Sequence, residues 1–173
     1  MSDQSLVSDF KQAMQELAAS VNVITSQHDG SRNGLTATAV CSLSMEPVSM
    51  LVCIHKDVQA LAEIRASGYF CINVLSTDQQ SVSDVFAGST GARGEQRFLE
   101  AGNWTSSQSG APMLDDALAS VVCELEEINT SGTHSICIGH VREVRLNRGS
   151  SPLIYARQQY GTLTELPETE KAA

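Results

Sequence analysis

The sequence is poor in basic residues, with 11 Lys and Arg against 20 Asp and Glu, and the 173-residue chain carries a net charge of −9. A nucleic-acid-binding face must neutralise phosphates with Lys and Arg, so we expect no nucleic-acid partner. No apolar run reaches the ~18 residues of a membrane span, so we expect no membrane association. Residues 1–4 also lack a basic segment followed by an apolar one, which predicts a cytoplasmic protein without a secretion signal.

Signatures of metal and nucleophilic chemistry are missing as well. None of the five cysteines forms a C-x-x-C pair. The chain contains no G-x-G-x-x-G and no H-E-x-x-H, and no Ser-His-Asp arrangement can be assigned from spacing. We therefore predict no metal site. We interpret the cysteines as buried thiols that pack like small apolar side chains; they are Cys41, Cys53, Cys71, Cys123 and Cys137.

The chain instead has a β-rich pattern with three short helices. Apolar spacing predicts the first helix over about residues 8–19. Asp57 is the expected N-cap of the second, which ends near Gly68, and Thr77 with Gln80 forms a capping box for the third, which Gly88 ends. About seven strands are joined mostly by links too short for parallel crossovers. We predict a mainly β, antiparallel closed barrel with a few peripheral helices, as one domain over residues 1–166 with a polar tail over 167–173.

Residues 34–44 form a strand of unusually small and hydroxyl-bearing side chains. Bulky side chains are the norm in strands, whereas these leave the backbone accessible. A flat ring could lie against such a strand while nearby hydroxyls hold a phosphate. A tightly packed crossing of two sheets is the structural alternative. The candidate binding residues here are Thr36, Ala37, Thr38, Ala39 and Ser42.

Three other places carry candidate site residues. His55-Lys56-Asp57 precedes a helix whose N-terminus could bind an anion, although an ordinary capped turn explains it too. Arg97-Phe98 could pair a phosphate and wall an aromatic ligand, or be a surface Arg beside a core Phe. His134 opens a strand after the polar segment 129–133, from which its side chain can reach a cleft. The residues alone indicate a β-rich domain with a candidate anion pocket.

An ordered series of short motifs extends over residues 10–163. It includes Gly34-Leu35-Thr36-Ala37-Thr38-Ala39, Cys71-Ile72-Asn73-Val74-Leu75, Arg97-Phe98, Pro112-Met113-Leu114, Gly132-Thr133-His134 and Tyr160-Gly161. The series resembles the short flavin reductases with an FMN-binding split barrel. These are the reductase components of two-component flavin monooxygenases, such as those acting on 4-hydroxyphenylacetate or chlorophenols. The resemblance implies a Greek-key-like split β-barrel built at a homodimer interface.

The resemblance also implies an activity, an NADH-dependent reduction of FMN or FAD. The reduced flavin would pass to a separate monooxygenase that degrades phenol-type aromatic compounds. Thr36, Ala37, Thr38 and Ala39 would lie along the flavin, with Ser42 near its phosphate or ribityl chain. Further flavin contacts would come from His55, Lys56, Asp57, Val58, Arg97 and Phe98. His134 would stand close to the nicotinamide as the candidate catalytic residue, and Tyr160 would border that site.

One departure concerns His134. The family often has Gly-Asp-His where this chain has Gly132-Thr133-His134, so a charge that could orient the imidazole is missing. Two other readings of the same barrel stay open at this stage. One is a non-catalytic module that binds flavin or, through His134 or His140, haem. The other is a relative of pyridoxamine-phosphate oxidase, which would need more basic phosphate ligands than this chain offers.

Overall fold

A computed structural model describes residues 3–165 of the chain. The helices are α1 (Asp3–Gln15), α2 (Gln59–Ser67), α3 (Gln80–Ala87) and α4 (Glu95–Glu100), and a 3-10 turn at Thr77–Gln79 precedes α3. The strands are β1 (Ala19–Ser20), β2 (Asn22–His28), β3 (Ser31–Ala37), β4 (Val40–Met45), β5 (Val48–His55), β6 (Tyr69–Val74), β7 (Trp104–Ser106), β8 (Pro112–Leu114), β9 (Ala119–Ser131), β10 (His134–Leu146), β11 (Ile154–Ala156) and β12 (Gln159–Gly161).

Seven strands form one antiparallel sheet that closes into a barrel. Their order is β3-β2-β6-β9-β10-β5-β4, so β3 and β4 are its two edges. Only Thr38 and Ala39 connect these edge strands, and two residues span less than ~11 Å. The sheet must therefore curl until its two edges come together, and the Cys53 N–H donates to the Ala39 carbonyl at 2.9 Å, which extends the β4–β5 pairing into the connecting segment. The predicted mainly β, antiparallel barrel with few helices is confirmed.

The interior of the barrel is apolar because alternate residues on each strand point inward. Ile24 of β2, Phe70 and Ile72 of β6 and Cys123 of β9 are fully buried in one cluster. Helix α2 contributes its buried Leu61 and Ile64 to the same cluster. Full burial of such side chains stabilises the fold by ~1.5–3 kcal/mol each. The core thus holds the first turn of α2 in place beside β2 and β3.

A second cluster lies on the outer face of β2, under α3 and α4. Val21 and Val23 pack there with Phe86 of α3 and Phe98 of α4. The Arg32 guanidinium lies 4.6 Å from the centre of the Phe98 ring and makes a bidentate ion pair with Glu95. These contacts tie α4 to β3 and define the path of the segment between α3 and α4.

The hairpin turn and the ends of two helices lie where the sequence predicts them. Asp29 and Gly30 connect β2 and β3 with φ of 48° and 78°, the backbone of a two-residue hairpin turn. Gly68 and Gly88 end α2 and α3 in the left-handed conformation. The strands β9 and β10, however, extend through most of the expected loop over 129–133, leaving Gly132 and Thr133 between them.

Helix boundaries and caps differ from expectation. Helix α1 ends at Gln15, before the expected 8–19 span is complete, and its apolar side chains are exposed; Phe10, for example, is 60% accessible. The residue at the N-cap of α2 is Val58, not Asp57, and the capping box is formed by Ser76 with Gln79, one residue earlier than Thr77 with Gln80.

No helix within residues 3–165 is long and apolar enough to cross a membrane. The predicted tail over 167–173 lies outside the described residues.

The cysteines divide by burial. Cys71, Cys123 and Cys137 are buried, as expected, and Cys53 is half-buried. Cys41 is exposed on the edge strand β4, which corrects the interpretation that all five are buried. Burial raises the pKa of Cys123 to about 12 and that of Cys137 to about 11, so both stay protonated thiols near neutral pH.

Candidate functional site

Most of the predicted site residues border three clefts that surround β3 and the first turn of α2. The first, the arginine cleft, has a volume of about 440 Å³. Strand β3, the beginning of α2 and the segment between α3 and α4 form its walls. Its lining residues are Asn33, Gly34, Leu35, Asp57, Val58, Gln59, Ala60, Gly88, Gly91, Ala92, Arg93, Gly94 and Arg97.

Arg97 is fixed in the arginine cleft by two backbone carbonyls. Its Nε donates to the Ala92 carbonyl at 2.9 Å and its Nη1 to the Gly34 carbonyl at 2.7 Å. Burial, and then the nearby charge of Arg93, lower the pKa of Arg97. Two guanidinium groups of like charge therefore face one cleft, and a bound anion would relieve their repulsion.

The close approach of β3 to α3 depends on Gly34. A Cβ at this position would lie 2.8 Å from Cε1 of Phe86 and 2.9 Å from the Ile24 carbonyl oxygen. Only glycine fits without displacing the strand or the aromatic ring. The glycine thus brings its own carbonyl within reach of Arg97, and this contact fixes the guanidinium in the cleft.

The beginning of α2 supplies further anion-binding capacity. Its N-cap residue Val58 makes no side-chain capping bond, so no side chain occupies the first-turn N–H groups in the way a Ser or Asp cap would. Gln59 and Ala60, the first residues of the helix, line the arginine cleft. A helix N-terminus with open N–H groups favours a phosphate, and anion binding at this turn stays a prediction.

The second cleft, the tyrosine cleft, has a volume of about 410 Å³ and borders the next part of β3. Thr36, Ala37 and Thr38 line it on one side, with Tyr155 and Tyr160 among the residues opposite. Its other lining residues are Val21, Ser83, Asp84, Ala87, Ser89 and Gln158. The small-residue strand is therefore accessible along a cleft and is not sealed in a dry core.

Tyr160 is positioned in the tyrosine cleft by α3. Its hydroxyl donates to Asp84 Oδ1 at 3.0 Å and lies 2.9 Å from the Ser83 hydroxyl. Burial is the main reason that the pKa of Tyr160 is raised, so the phenol stays protonated at neutral pH. The Thr36 hydroxyl donates to the Ser83 carbonyl at 2.7 Å, which joins β3 to the same turn of α3.

His55 and His134 form a pair at the ends of β5 and β10. They are direct register partners, and their rings stand edge to face with centroids 5.2 Å apart. The Asp57 N–H donates to His55 Nδ1 at 3.3 Å, and the Thr133 hydroxyl lies 2.9 Å from His134 Nδ1. Thr133, which stands where the family often has Asp, therefore contacts the imidazole with a hydroxyl in place of a charge.

The third cleft, the lysine cleft, has a volume of about 400 Å³, and neither histidine of the pair is among its lining residues. Lys56 and Arg65 line it together with Thr130 and Ser135, and it shares Asp57, Val58 and Gln59 with the arginine cleft. The backbone N–H of Lys56 donates to the Thr133 carbonyl at 3.0 Å. That bond holds the lysine beside the turn that carries His134.

Some predicted site residues lie elsewhere. Phe98 is 4% exposed, and its ring packs against Phe86 and Trp104 at 5.1 and 4.9 Å. This corrects the expectation that Phe98 walls a ligand, because its ring belongs to the core under Arg97. Ala39 and Ser42 are exposed at the junction of the barrel edges and are not among the lining residues of the three clefts.

Sequence reasoning missed several lining residues. The sequence analysis assigned no site role to Arg93, to the glycines at 88, 91 and 94, or to Asp84 and Tyr155, all of which line a cleft. The available signal was an arginine among three glycines within seven residues, a pattern suited to close approach of a ligand to the backbone.

His140, a candidate haem ligand, lies 3.0 Å from Glu126 on the neighbouring strand.

Comparison with known proteins gives a consistent result. A family model described as flavin reductase like domain matches residues 14–164. A protein of Agrobacterium fabrum named FMN reductase (NADH) RutF is 39% identical over 155 residues, covering 90% of this chain and 87% of that one. The flavin reductase PheA2 superposes with a TM-score of 0.83 at 30% identity, covering 95% of this chain and 100% of that one.

A further structural neighbour is BorF, the flavin reductase component of a bacterial two-component tryptophan halogenase. Its TM-score is 0.83 at 28% identity, covering 92% of this chain and 99% of that one. The neighbours share the split-barrel architecture that the sequence analysis expected. Each match spans nearly the full length of both chains, so the similarity concerns the whole domain.

Proposed function

The chain belongs to the flavin reductase like domain family, and from that premise we propose that it is an NADH-dependent FMN reductase. Relatives such as the protein of Agrobacterium fabrum carry this activity in their names. The observation that carries the proposal is the arginine cleft, which combines Arg93, Arg97 and the N-terminus of α2 beside an accessible strand of small residues. That combination has the chemistry needed for a flavin mononucleotide.

In this proposal the arginine cleft holds the phosphate of FMN. A Cβ at Gly88 would lie 3.7 Å from Nη2 of Arg97, whose Nε and Nη1 are already bound to carbonyls. Arg93 adds a second charge, and the first turn of α2 adds backbone N–H groups. The unrelieved repulsion between the two guanidiniums fits a dianionic ligand.

In the proposal the flavin ring lies along the accessible part of β3. Thr36 and Ala37 of β3, and Thr38 directly after it, line the tyrosine cleft with small side chains, and Tyr160 lines the same cleft. Ala39 and Ser42 continue the same exposed backbone onto β4, and Val58 borders the adjoining arginine cleft. A planar ring that needs backbone hydrogen bonds on one edge suits such a strand.

When bound, the flavin would be the acceptor of a hydride from NADH, and this transfer requires little acid–base chemistry from the protein. The side chains therefore bind and orient the reactants. His134, held by Thr133 and edge to face with His55, is proposed to contact the nicotinamide. FAD, which shares the flavin ring, is the second acceptor in the proposal.

The steady-state rate of NADH oxidation with FMN, FAD and riboflavin tests this function. We expect the highest kcat/KM with FMN, a lower value with riboflavin, which lacks the phosphate, and a preference for NADH over NADPH. The variant R148A, which removes a charge from a loop outside the three clefts, is the control. An absence of NADH oxidation with every flavin would exclude the proposed function.

We also propose that the protein is a homodimer. Leu6, Phe10 and Met14 form an exposed apolar stripe on α1, and Leu43 and Met45 are exposed on β4. Apolar side chains in such number on one small domain indicate an interface. The variants F10S and L43E should shift the mass measured by light scattering from dimer towards monomer. A wild-type mass of one chain at micromolar concentration would contradict the dimer.

The proposed partner of the enzyme is a separate flavin-dependent monooxygenase that receives the reduced flavin. The neighbour BorF serves a separate halogenase, which supports a two-component arrangement. The substrate proposed for that oxygenase is a phenol-type aromatic compound. The location proposed for the reductase is the cytoplasm, where NADH is available. If the reductase retained its flavin through many turnovers and hydroxylated a substrate by itself, the transfer to a partner would be excluded.

A further inference from the structure

One buried side chain of the arginine cleft has a polar atom without a protein partner. Asn33 of β3 lines this cleft and is 6% exposed. Its Nδ2 donates to Oε1 of Glu63 on α2 at 3.2 Å. Its Oδ1 accepts no hydrogen bond from any residue within 3–165, yet it is not completely enclosed by protein. The oxygen is therefore open to the cleft, and buried polar atoms are normally satisfied by a partner.

Glu63 determines which way the Asn33 amide faces. A carboxylate can only accept hydrogen bonds, so the amide must turn its NH2 group to Glu63 and its oxygen elsewhere. The Ser31 hydroxyl also donates to Glu63 Oε1, at 3.4 Å, and this contact holds the carboxylate beside β3. The Asn33 oxygen lies near the segment between α3 and α4, since a Cβ at Gly94 would be 3.8 Å from it. That segment is one wall of the arginine cleft.

The acceptor on Asn33 differs from the donors that the same cleft offers. Arg93, Arg97 and the first-turn N–H groups of α2 suit the oxygens of a phosphate, as the proposed function assigns them. The amide oxygen cannot bind a fully ionised phosphate, because both are acceptors. It needs a ligand group that donates and that lies close to the phosphate. The ribityl chain of FMN carries such hydroxyls, the last of them on the carbon next to the one that bears the phosphate.

We propose that Asn33 binds a ribityl hydroxyl of the flavin through its Oδ1, and that Glu63 is the positioning residue that turns this oxygen towards the cleft. The inference rests on the proposed function and adds two residues that are not among the predicted flavin contacts. Because the ribityl chain is remote from the reacting ring, both residues act on flavin binding and not on the hydride step.

The dissociation constants of four flavins, measured by quenching of flavin fluorescence, test the contact. FMN and FAD have the ribityl chain and phosphate, riboflavin has the chain without phosphate, and lumiflavin has a methyl group in place of the chain. N33A should raise the constants for FMN, FAD and riboflavin by the same factor, about 3–10-fold for one lost hydrogen bond, and leave that for lumiflavin unchanged. N103A, which truncates an exposed asparagine outside the three clefts, is the control.

A second variant tests the positioning role of Glu63. In E63Q the new amide can donate as well as accept, so the Asn33 amide is free to turn over. FMN and riboflavin should bind about twofold more weakly, because about half of the amides then face the wrong way, and lumiflavin should bind as in the wild type. The double variant N33A/E63Q should bind FMN no more weakly than N33A, since Glu63 acts through Asn33. Glu63 is only half-buried, so E63Q should fold even if N33A does not.

Four results would overturn the ribityl contact. They are unchanged binding of FMN and riboflavin in N33A, an equal loss with all four flavins, a loss with FMN but not with riboflavin, and a loss confined to FAD. The second would not depend on the ribityl chain, the third would assign Asn33 to the phosphate, and the fourth would assign it to the adenylate part of FAD. If the wild-type protein binds no flavin at all, the proposed function itself has failed, which is a different result.

Discussion

The rings of His55 and His134 stand edge to face with their centroids 5.2 Å apart, because the two residues are register partners on β5 and β10. The sequence separates them by 79 positions, and only the barrel brings them together. Each Nδ1 has a local partner, the Asp57 N–H for His55 and the Thr133 hydroxyl for His134. Each ring of the pair is thus oriented by a neighbour from its own segment of the chain.

Replacing His134 tests its proposed contact with the nicotinamide. H134A should lower kcat/KM for NADH by about tenfold, the loss of roughly 1.4 kcal/mol of binding or orientation. The dissociation constant for FMN, measured by fluorescence quenching, should change by less than twofold. H140A, on the same strand but paired with Glu126, is the matched control. Unchanged NADH kinetics in H134A would remove this residue from the site.

Arg93 offers the cleanest test of the phosphate site, since it lines the arginine cleft without the carbonyl bonds that give Arg97 a structural role. R93A should weaken FMN binding about tenfold through loss of a charged contact. Riboflavin, which lacks the phosphate, should bind to R93A and to the wild type equally well. Isothermal titration with both ligands measures the difference. An equal loss for both would show that Arg93 does not act through the phosphate.

Gly34 is predicted to be intolerant of any side chain. G34A would place a methyl group 2.8 Å from Phe86 and 2.9 Å from the Ile24 carbonyl, and overpacking of this kind costs about 1–3 kcal/mol. The midpoint of thermal unfolding should fall by roughly 3–10 °C. G161A, whose added methyl would meet nothing within 4 Å, is the control and should unfold near the wild-type temperature. A G34A variant as stable as G161A would contradict the described packing.

The buried thiols predict a loss of stability in alkali. The pKa of Cys123 is about 12 and that of Cys137 about 11 in the folded protein, whereas an unfolded thiol ionises near ~8.5. The folded state therefore binds these protons more tightly, and the stabilisation is complete below the unfolded pKa. Above that pH the free energy of unfolding should decrease by about 1 kcal/mol per pH unit for each thiol.

Urea unfolding between neutral pH and pH 10 measures this dependence. C137A, which removes one of the thiols with a small change of volume, should lose less stability with rising pH than the wild type does. C41A removes an exposed thiol and should follow the wild-type curve. Parallel curves for all three proteins would contradict the assignment to buried thiols.

Features that depend on neighbouring residues could be predicted from the sequence. Asp29-Gly30 specifies a hairpin turn, and Gly68 and Gly88 end helices, because each acts through its own backbone conformation. The accessibility of Thr36 to Thr38 also follows from their small side chains. The resemblance to a known family added the split, Greek-key-like form of the barrel that the strand pattern predicts.

Features that depend on distant contacts could not be predicted. The capping box is formed by Ser76 and Gln79, one residue earlier than expected, and Ser76 is held there by its bridge to the distant Pro152. Phe98 is buried because Phe86 and Trp104 meet it from other segments, and Arg93 joins the site through the fold of a glycine-rich loop. Periodicity reveals an apolar face on α1 but not whether the chain itself covers it.

Anaerobic titration of FMN with NADH in the presence of the protein tests the central claim most directly. We predict that the yellow flavin absorbance is bleached with one NADH consumed per FMN, that R93A needs more FMN for the same rate, and that oxygen restores the colour. A flavin that binds without losing its colour would make the protein a non-catalytic module, and a persistent Soret band in the purified protein would identify haem. Either result would contradict the proposed reductase.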